Sequence, residues 1–156
     1  MITTLVFDFS MVILFPKDEN YKGKLNPLHK RLSQAAGYNL LDHFELNEPI
    51  LRYVQEFKGK YGLYIFTSGS IQNAPEIRPR LEEIFDGIYS SEELGVSKKD
   101  PNGYLHFAKT IGINPGEMIF IDDTSINVEA ARRAGIESIC YVSLDQLKTD
   151  LGALLN

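Results

Sequence analysis

The sequence predicts an α/β fold with a parallel sheet covered by helices on both faces, and three observations carry that expectation. Short runs of Val, Ile, Leu and Phe recur without the polar alternation of a one-sided sheet, so they read as strands buried on both faces. Helical patterns with recognisable starts and stops lie between those runs. The length, 156 residues, suits one domain with a substantial core.

Taken in order, Thr4-Leu5-Val6-Phe7 is the first strand and Asp8 ends it. Gly62 to Thr67 is a second strand, Gly87-Ile88-Tyr89 a short third, Met118 to Asp122 a fourth and Glu137 to Val142 a fifth. Asp100-Pro101 pairs an N-cap with a proline at the first helical position, and that helix runs to about Ile111 before Gly112. Ser125 opens a helix closed by Gly135. Ser143 opens a last helix with Leu144, Leu147, Leu151 and Leu154 at helical spacing. Residues 16–60 form an insert too long for a plain connection: a charged loop, a helix from Pro27 to about Ala36 and another from about Asn47 to Lys58. The expected division is a core of residues 1–15 and 61–156, with 16–60 as a small helical cap over the site.

Composition excludes several classes. A net charge of -5 argues against a general binder of nucleic acid or anionic membrane. The lone Cys140 permits no internal disulfide, in keeping with a reducing compartment. The apolar stretch from Leu5 to Phe15 lacks a basic n-region and is interrupted by Asp8, so it does not read as a signal peptide, and no segment reaches transmembrane length. A cytoplasmic protein is expected.

The chemistry gathers at the strand ends. Asp122 and Asp123 terminate an apolar run, where neighbouring carboxylates repel unless a cation or strong donor lies between them. Asp8 ends another such run, and three acids at the carboxyl ends of two buried strands form a cradle for a divalent metal. Ligands of open parallel sheets bind outside those ends, where strand order reverses. Phe9 and Ser10 follow Asp8, Thr67-Ser68-Gly69 ends the second strand, Lys98 follows the third, and Thr124 and Asn127 follow the acid pair.

In this order the residues resemble the haloacid dehalogenase-like hydrolases. The first motif of that family, an apolar strand ending in Asp-x-Asp, reads here Val6-Phe7-Asp8-Phe9-Ser10, and the second, a strand ending in Ser or Thr, is matched by Tyr64 to Thr67. The third, a lysine often followed by Pro-Asp-Pro, is matched by Lys98-Lys99-Asp100-Pro101 in all but the first proline. The fourth, two acids followed by an asparagine and an Ala-rich helix closed by glycine, is met by Ile121-Asp122-Asp123 through Asn127, Ala130, Ala131 and Gly135. A response-regulator receiver also combines acids, Thr and Lys, but with the acid pair first in the chain.

The resemblance implies a Rossmann-like core with strand order 3-2-1-4-5 and a Mg²⁺-dependent phosphatase acting on a small phosphorylated molecule. Asp8 would be the nucleophile, forming an aspartyl-phosphate, and Lys98 would neutralise nucleophile and phosphate. Phe9, Ser10, Thr67 and Ser68 would join Lys98 in binding substrate. Asp8, the Ser10 carbonyl and Asp123 would hold the metal, with Asp122 as a further acid of that site. Two departures matter. Ser10 stands where the phosphatases carry a second aspartate as general acid, and Met11 stands where a glycine is usual. Losing a positioned acid costs about 10²–10⁴ in rate, so good leaving groups are favoured. Two other readings are a non-catalytic or regulatory protein of the same fold and a metal-free dehalogenase.

Overall fold

The computed structural model describes all 156 residues. Five parallel strands form the central sheet: β1 (Thr4–Phe7), β4 (Gly62–Thr67), β5 (Gly87–Ser90), β6 (Met118–Asp122) and β7 (Glu137–Cys140). Their spatial order is β5-β4-β1-β6-β7. Counting these five along the chain gives 3-2-1-4-5, the predicted order, and it puts β1 and β6 side by side. Leu5 faces Ile119 and Phe7 faces Ile121 in register, and the Asp8 N–H extends the ladder to the Ile121 carbonyl at 2.8 Å.

The strand pleat splits the core in two. Leu5, Phe7, Leu63, Ile65, Ile119 and Ile121 lie in a buried cluster of 26 residues. Val6, Phe66, Met118 and Phe120, the alternate positions, lie in a separate cluster of 10. Helices α2 (Glu48–Gln55), α3 (Arg78–Glu82) and α7 (Leu144–Leu155) supply Ile50, Leu51, Val54, Leu81, Leu147 and Leu151 to the larger cluster. After the short α4 (Ser91–Leu94), helices α5 (Pro101–Ile111) and α6 (Ser125–Arg133) supply Tyr104, Phe107, Ala108, Ala130 and Ala131 to the smaller one. With every face of β1 and β6 covered, a carboxylate at either strand end has nowhere to point except past the sheet.

The expected punctuation is present at most helix ends. Asp100 caps α5 by accepting from the Asn102 N–H, Gly112 closes it at φ 73°, and Ser143 caps α7. Helix α6 differs slightly, since Thr124 takes the cap position and Ser125 is its first residue. Cys140 is half-buried rather than sealed in the core, because β7 is the sheet's edge.

Helix α1 (Leu25–Leu32) is shorter than its sequence pattern, and its buried Leu25, with Leu40 and Phe44, joins Ile50, Leu51 and Val54 of α2 in the larger core cluster. The base of the insert is a two-stranded antiparallel ribbon, β2 (Leu14–Pro16) against β3 (Phe44–Leu46), that no hydropathy pattern announced. Asn47 clamps this ribbon to the turn after β1, its backbone N–H donating to the Ile13 carbonyl at 2.7 Å and its side chain to that of Val12 at 3.3 Å. No helix is long and apolar enough to cross a membrane.

Candidate active site

The turn after β1 is built on one carbonyl. Phe9 O accepts the N–H groups of Val12, Ile13 and Leu14 at 3.3, 2.8 and 3.0 Å, which reverses the chain within five residues. The reversal sinks the Phe9 side chain into the core and turns Ser10 to the cavity side. It also forces Met11 into the left-handed region at φ 64°, the sole non-glycine residue there. The Ser10 hydroxyl is enclosed and has no hydrogen-bond partner.

Lys98 crosses the end of the sheet to meet two acids. Its Nζ lies 2.7 Å from Asp8 Oδ1 and 2.9 Å from Asp122 Oδ2, and all three residues are buried. The ammonium also stands 5.2 Å from the Phe120 ring centroid and 5.7 Å from that of Phe66, within cation–π reach. Its loop is fixed by α5. The Tyr104 hydroxyl donates to the Lys98 carbonyl at 2.9 Å, and Gly103 packs so closely that an added Cβ would stand 2.1 Å from the Ser97 carbonyl oxygen. Gly103 is therefore required by contact rather than by backbone angle.

Asp122 spends both oxygens on protein donors. Oδ1 accepts the Thr124 N–H at 2.8 Å, and Oδ2 accepts the Asn127 amide at 3.1 Å beside Lys98. Asp123 faces the cavity instead. Ligand atoms of Asp8, Asp122 and Asp123 all lie within 4.8 Å of one another. Three carboxylates share one ammonium, and their ionisation shows the imbalance. Burial pushes Asp8 up to about 7, against the opposing pull of Lys98 and with the help of Asp122. Burial, then Asp122, pushes Asp123 up to about 6. Burial pulls Lys98 down, but Asp8 and Asp122 outweigh it and hold the ammonium above its ordinary range. A hard divalent cation supplies the charge this oxygen-donor set lacks, so the residues fit such an ion.

Above the acids lies a cavity of about 1040 Å³. Of the sequence-predicted residues, Asp8, Ser10, Ser68, Lys98 and Asp123 line it, while Asp122 sits behind them. Phe9 and Thr67 are buried and do not line it, and the serine that does so on that loop is Ser68, whose carbonyl accepts from the Ser90 hydroxyl at 3.2 Å. The insert contributes a wall that sequence reasoning left blank, including Phe15, Tyr21, Lys22 and Asn26. Asn26 had no signal, since an Asn-Pro pair reads by default as a turn or cap. Asn127 had one: four and five residues beyond the acid pair, it lies within the first turn of α6.

The family model for haloacid dehalogenase-like hydrolases matches residues 15–135. Flavin mononucleotide hydrolase 1 of Arabidopsis thaliana is 32% identical over 95 residues, which cover 60% of this chain and 39% of that protein. Enolase-phosphatase E1 of Aquifex aeolicus is 32% identical over 100 residues, 60% of this chain and 44% of that one. The chain thus matches about two-fifths of the length of these curated relatives. Among solved structures, a HAD family enzyme of Bacteroides thetaiotaomicron in complex with magnesium and inorganic phosphate superposes with a TM-score of 0.70 at 17% identity, covering 94% of this chain and 99% of that one. A predicted HAD-like family hydrolase of Porphyromonas gingivalis gives 0.71 at 20% identity, over 100% and 98%.

Proposed function

We propose that this chain, which belongs to the haloacid dehalogenase-like hydrolases, is a divalent-cation-dependent phosphatase that passes its phosphoryl group through Asp8. The single observation that carries this reading is the Lys98 ammonium bridging Asp8 and Asp122, with Asp123 beside them at the floor of a large cavity. The flavin mononucleotide hydrolase and enolase-phosphatase relatives support the reaction class.

Asp8 Oδ1 is engaged by Lys98, which leaves Oδ2 without a side-chain partner and available to attack phosphorus. The phosphorus–oxygen bond to the leaving group breaks as Asp8 Oδ2 bonds to phosphorus to give an acyl phosphate, and the electron pair of the broken bond departs with the leaving oxygen. Water then attacks the phosphorus of that acyl phosphate, releasing inorganic phosphate and restoring the carboxylate. Lys98 offsets negative charge on both the nucleophile and the transferring group. Asp122 keeps Lys98 aimed and charged. Asp8, Asp123 and the Ser10 carbonyl would hold Mg²⁺, with Asp122 behind them; when bound, the ion supplies positive charge to phosphoryl oxygens.

Ser10 sets the limit. A hydroxyl does not protonate a leaving alkoxide near neutral pH, so the enzyme acts on aryl or acyl phosphates, which depart unprotonated. A cavity of about 1040 Å³ accommodates a bulky leaving group of that kind. The same deficiency slows hydrolysis of phospho-Asp8, and a phosphorylated form that persists is how the regulatory reading would arise. The test compares an aryl with an alkyl phosphate in Mg²⁺, using wild type, Asp8→Asn and Ser10→Asp. The expected pattern is turnover of the aryl ester alone in wild type, none in Asp8→Asn, and alkyl-ester turnover raised by about 10²–10⁴ in Ser10→Asp. Activity that survives both chelation and Asp8→Asn would overturn the reading.

A further inference from the structure

The insert meets the strand-end loops at a polar contact centred on Asn26. This residue, the second of α1, has its Oδ1 3.0 Å from the N–H of Ser70 and 3.0 Å from the N–H of Ile71. Those two N–H groups open the turn that follows Thr67-Ser68-Gly69. The carboxamide lies against Gly69: a Cβ there would stand 2.3 Å from Asn26 Cγ and Oδ1 and 2.6 Å from Nδ2. Behind the loop, the buried Gln72 donates from Nε2 to the Gly69 carbonyl at 2.8 Å, so the loop is gripped from both sides.

Two backbone donors on one oxygen fix which way the Asn26 amide points. Its Nδ2 makes no hydrogen bond to the protein, and Asn26 lines the same cavity as Asp8, Ser68 and Lys98. An amide donor held rigid, unpaired and beside a loop next to the nucleophile is suited to an oxyanion.

Building on the phosphatase reading, we infer that Asn26 has two roles at this site. Its Oδ1 positions the Ser68–Gly69 loop, and its Nδ2 donates to an oxygen of the phosphorylated substrate. The insert then supplies part of the phosphate pocket itself and is more than a lid above it.

The test uses inorganic phosphate in the presence of Mg²⁺ as the ligand, an aryl phosphate as substrate, and amide hydrogen exchange as a readout independent of both. Asn26→Asp retains the acceptor for Ser70 and Ile71 but removes the donor and places a carboxylate by the phosphate. It should keep wild-type protection of those two amides while phosphate affinity falls on the order of 10- to 100-fold, with KM rising more than kcat falls. Asn26→Ala should lose both, with faster exchange at Ser70 and Ile71 and weaker phosphate binding. Wild-type phosphate affinity in Asn26→Asp would overturn the donor role, and unchanged exchange in Asn26→Ala would overturn the positioning role. A wild-type protein that neither binds phosphate nor turns over the ester would sink the phosphatase reading, and the donor role with it, while exchange in Asn26→Ala still decides the positioning role.

Discussion

Asp122 Oδ2 stands 2.9 Å from Lys98 Nζ, yet Asp122 is fully buried and has no face on the cavity, whereas its neighbour Asp123 does. Adjacent acids at one strand end are thus turned to different surroundings by the pleat. Asp123→Asn should abolish Mg²⁺ binding. Asp122→Asn should leave measurable Mg²⁺ binding but lower kcat by about tenfold or more, because Lys98 loses a charge-assisted partner. Calorimetric Mg²⁺ titration of both variants, set beside their kcat values, checks the division.

The raised carboxylates make stability depend on pH. Folding raises Asp8 from 3.8 to about 7, so its contribution is fully present below pH 3.8 and lost as pH rises through about 7. In chelator, Asp8→Asn should therefore melt higher than wild type at pH 8, and the gap should close as pH falls toward 4. Mg²⁺ should remove the gap at pH 8, since the ion competes with the proton for the same oxygens. Thermal melts of both proteins across this range, with and without Mg²⁺, give the comparison.

Gly103→Ala should be among the most damaging single-methyl changes in the chain. Its Cβ would meet the backbone oxygen of Ser97 at 2.1 Å, and neither the helix nor the loop can move without shifting Lys98. Overpacking of this kind costs about 1–3 kcal/mol. A Tm lower by roughly 3–10 °C should accompany a fall in kcat larger than any change in Mg²⁺ affinity.

Met11 predicts a gain. A non-glycine residue at φ 64° carries about 1–2 kcal/mol of backbone strain that glycine lacks. Met11→Gly should raise Tm by about 2–4 °C per kcal/mol recovered. Because Met11 also lines the cavity, the same variant should show an altered KM for bulky aryl phosphates.

The sheet and the charged centre were legible because both write themselves into the chain locally. Runs such as Met118 to Ile121 need no partner to be recognised as doubly buried, and a carboxylate ending such a run is conspicuous for the same reason. The directions of individual side chains were less accessible. Thr67 belongs to the strand proper and points into packed protein, while Ser68, one residue past the pleat's control, reaches the cavity. The β2–β3 ribbon left no trace because a three-residue strand has too few positions to show alternation, and its mate lies far along the chain. Asn26 was invisible for a related reason, since the amides it holds lie 44 and 45 residues away.

The short ribbon has a consequence for how this protein could change. Pro16 sits opposite Phe44, and the Lys17 N–H reaches the His43 carbonyl at 2.9 Å, so residues 17–43 form a loop on a closed stem. A loop whose ends are already joined is cheap to lengthen, because each doubling adds only about 0.6 kcal/mol of closure entropy. The segment 17–43 can therefore be exchanged for a longer one with the Asp8 turn undisturbed, provided the new segment still offers an acceptor to Ser70 and Ile71.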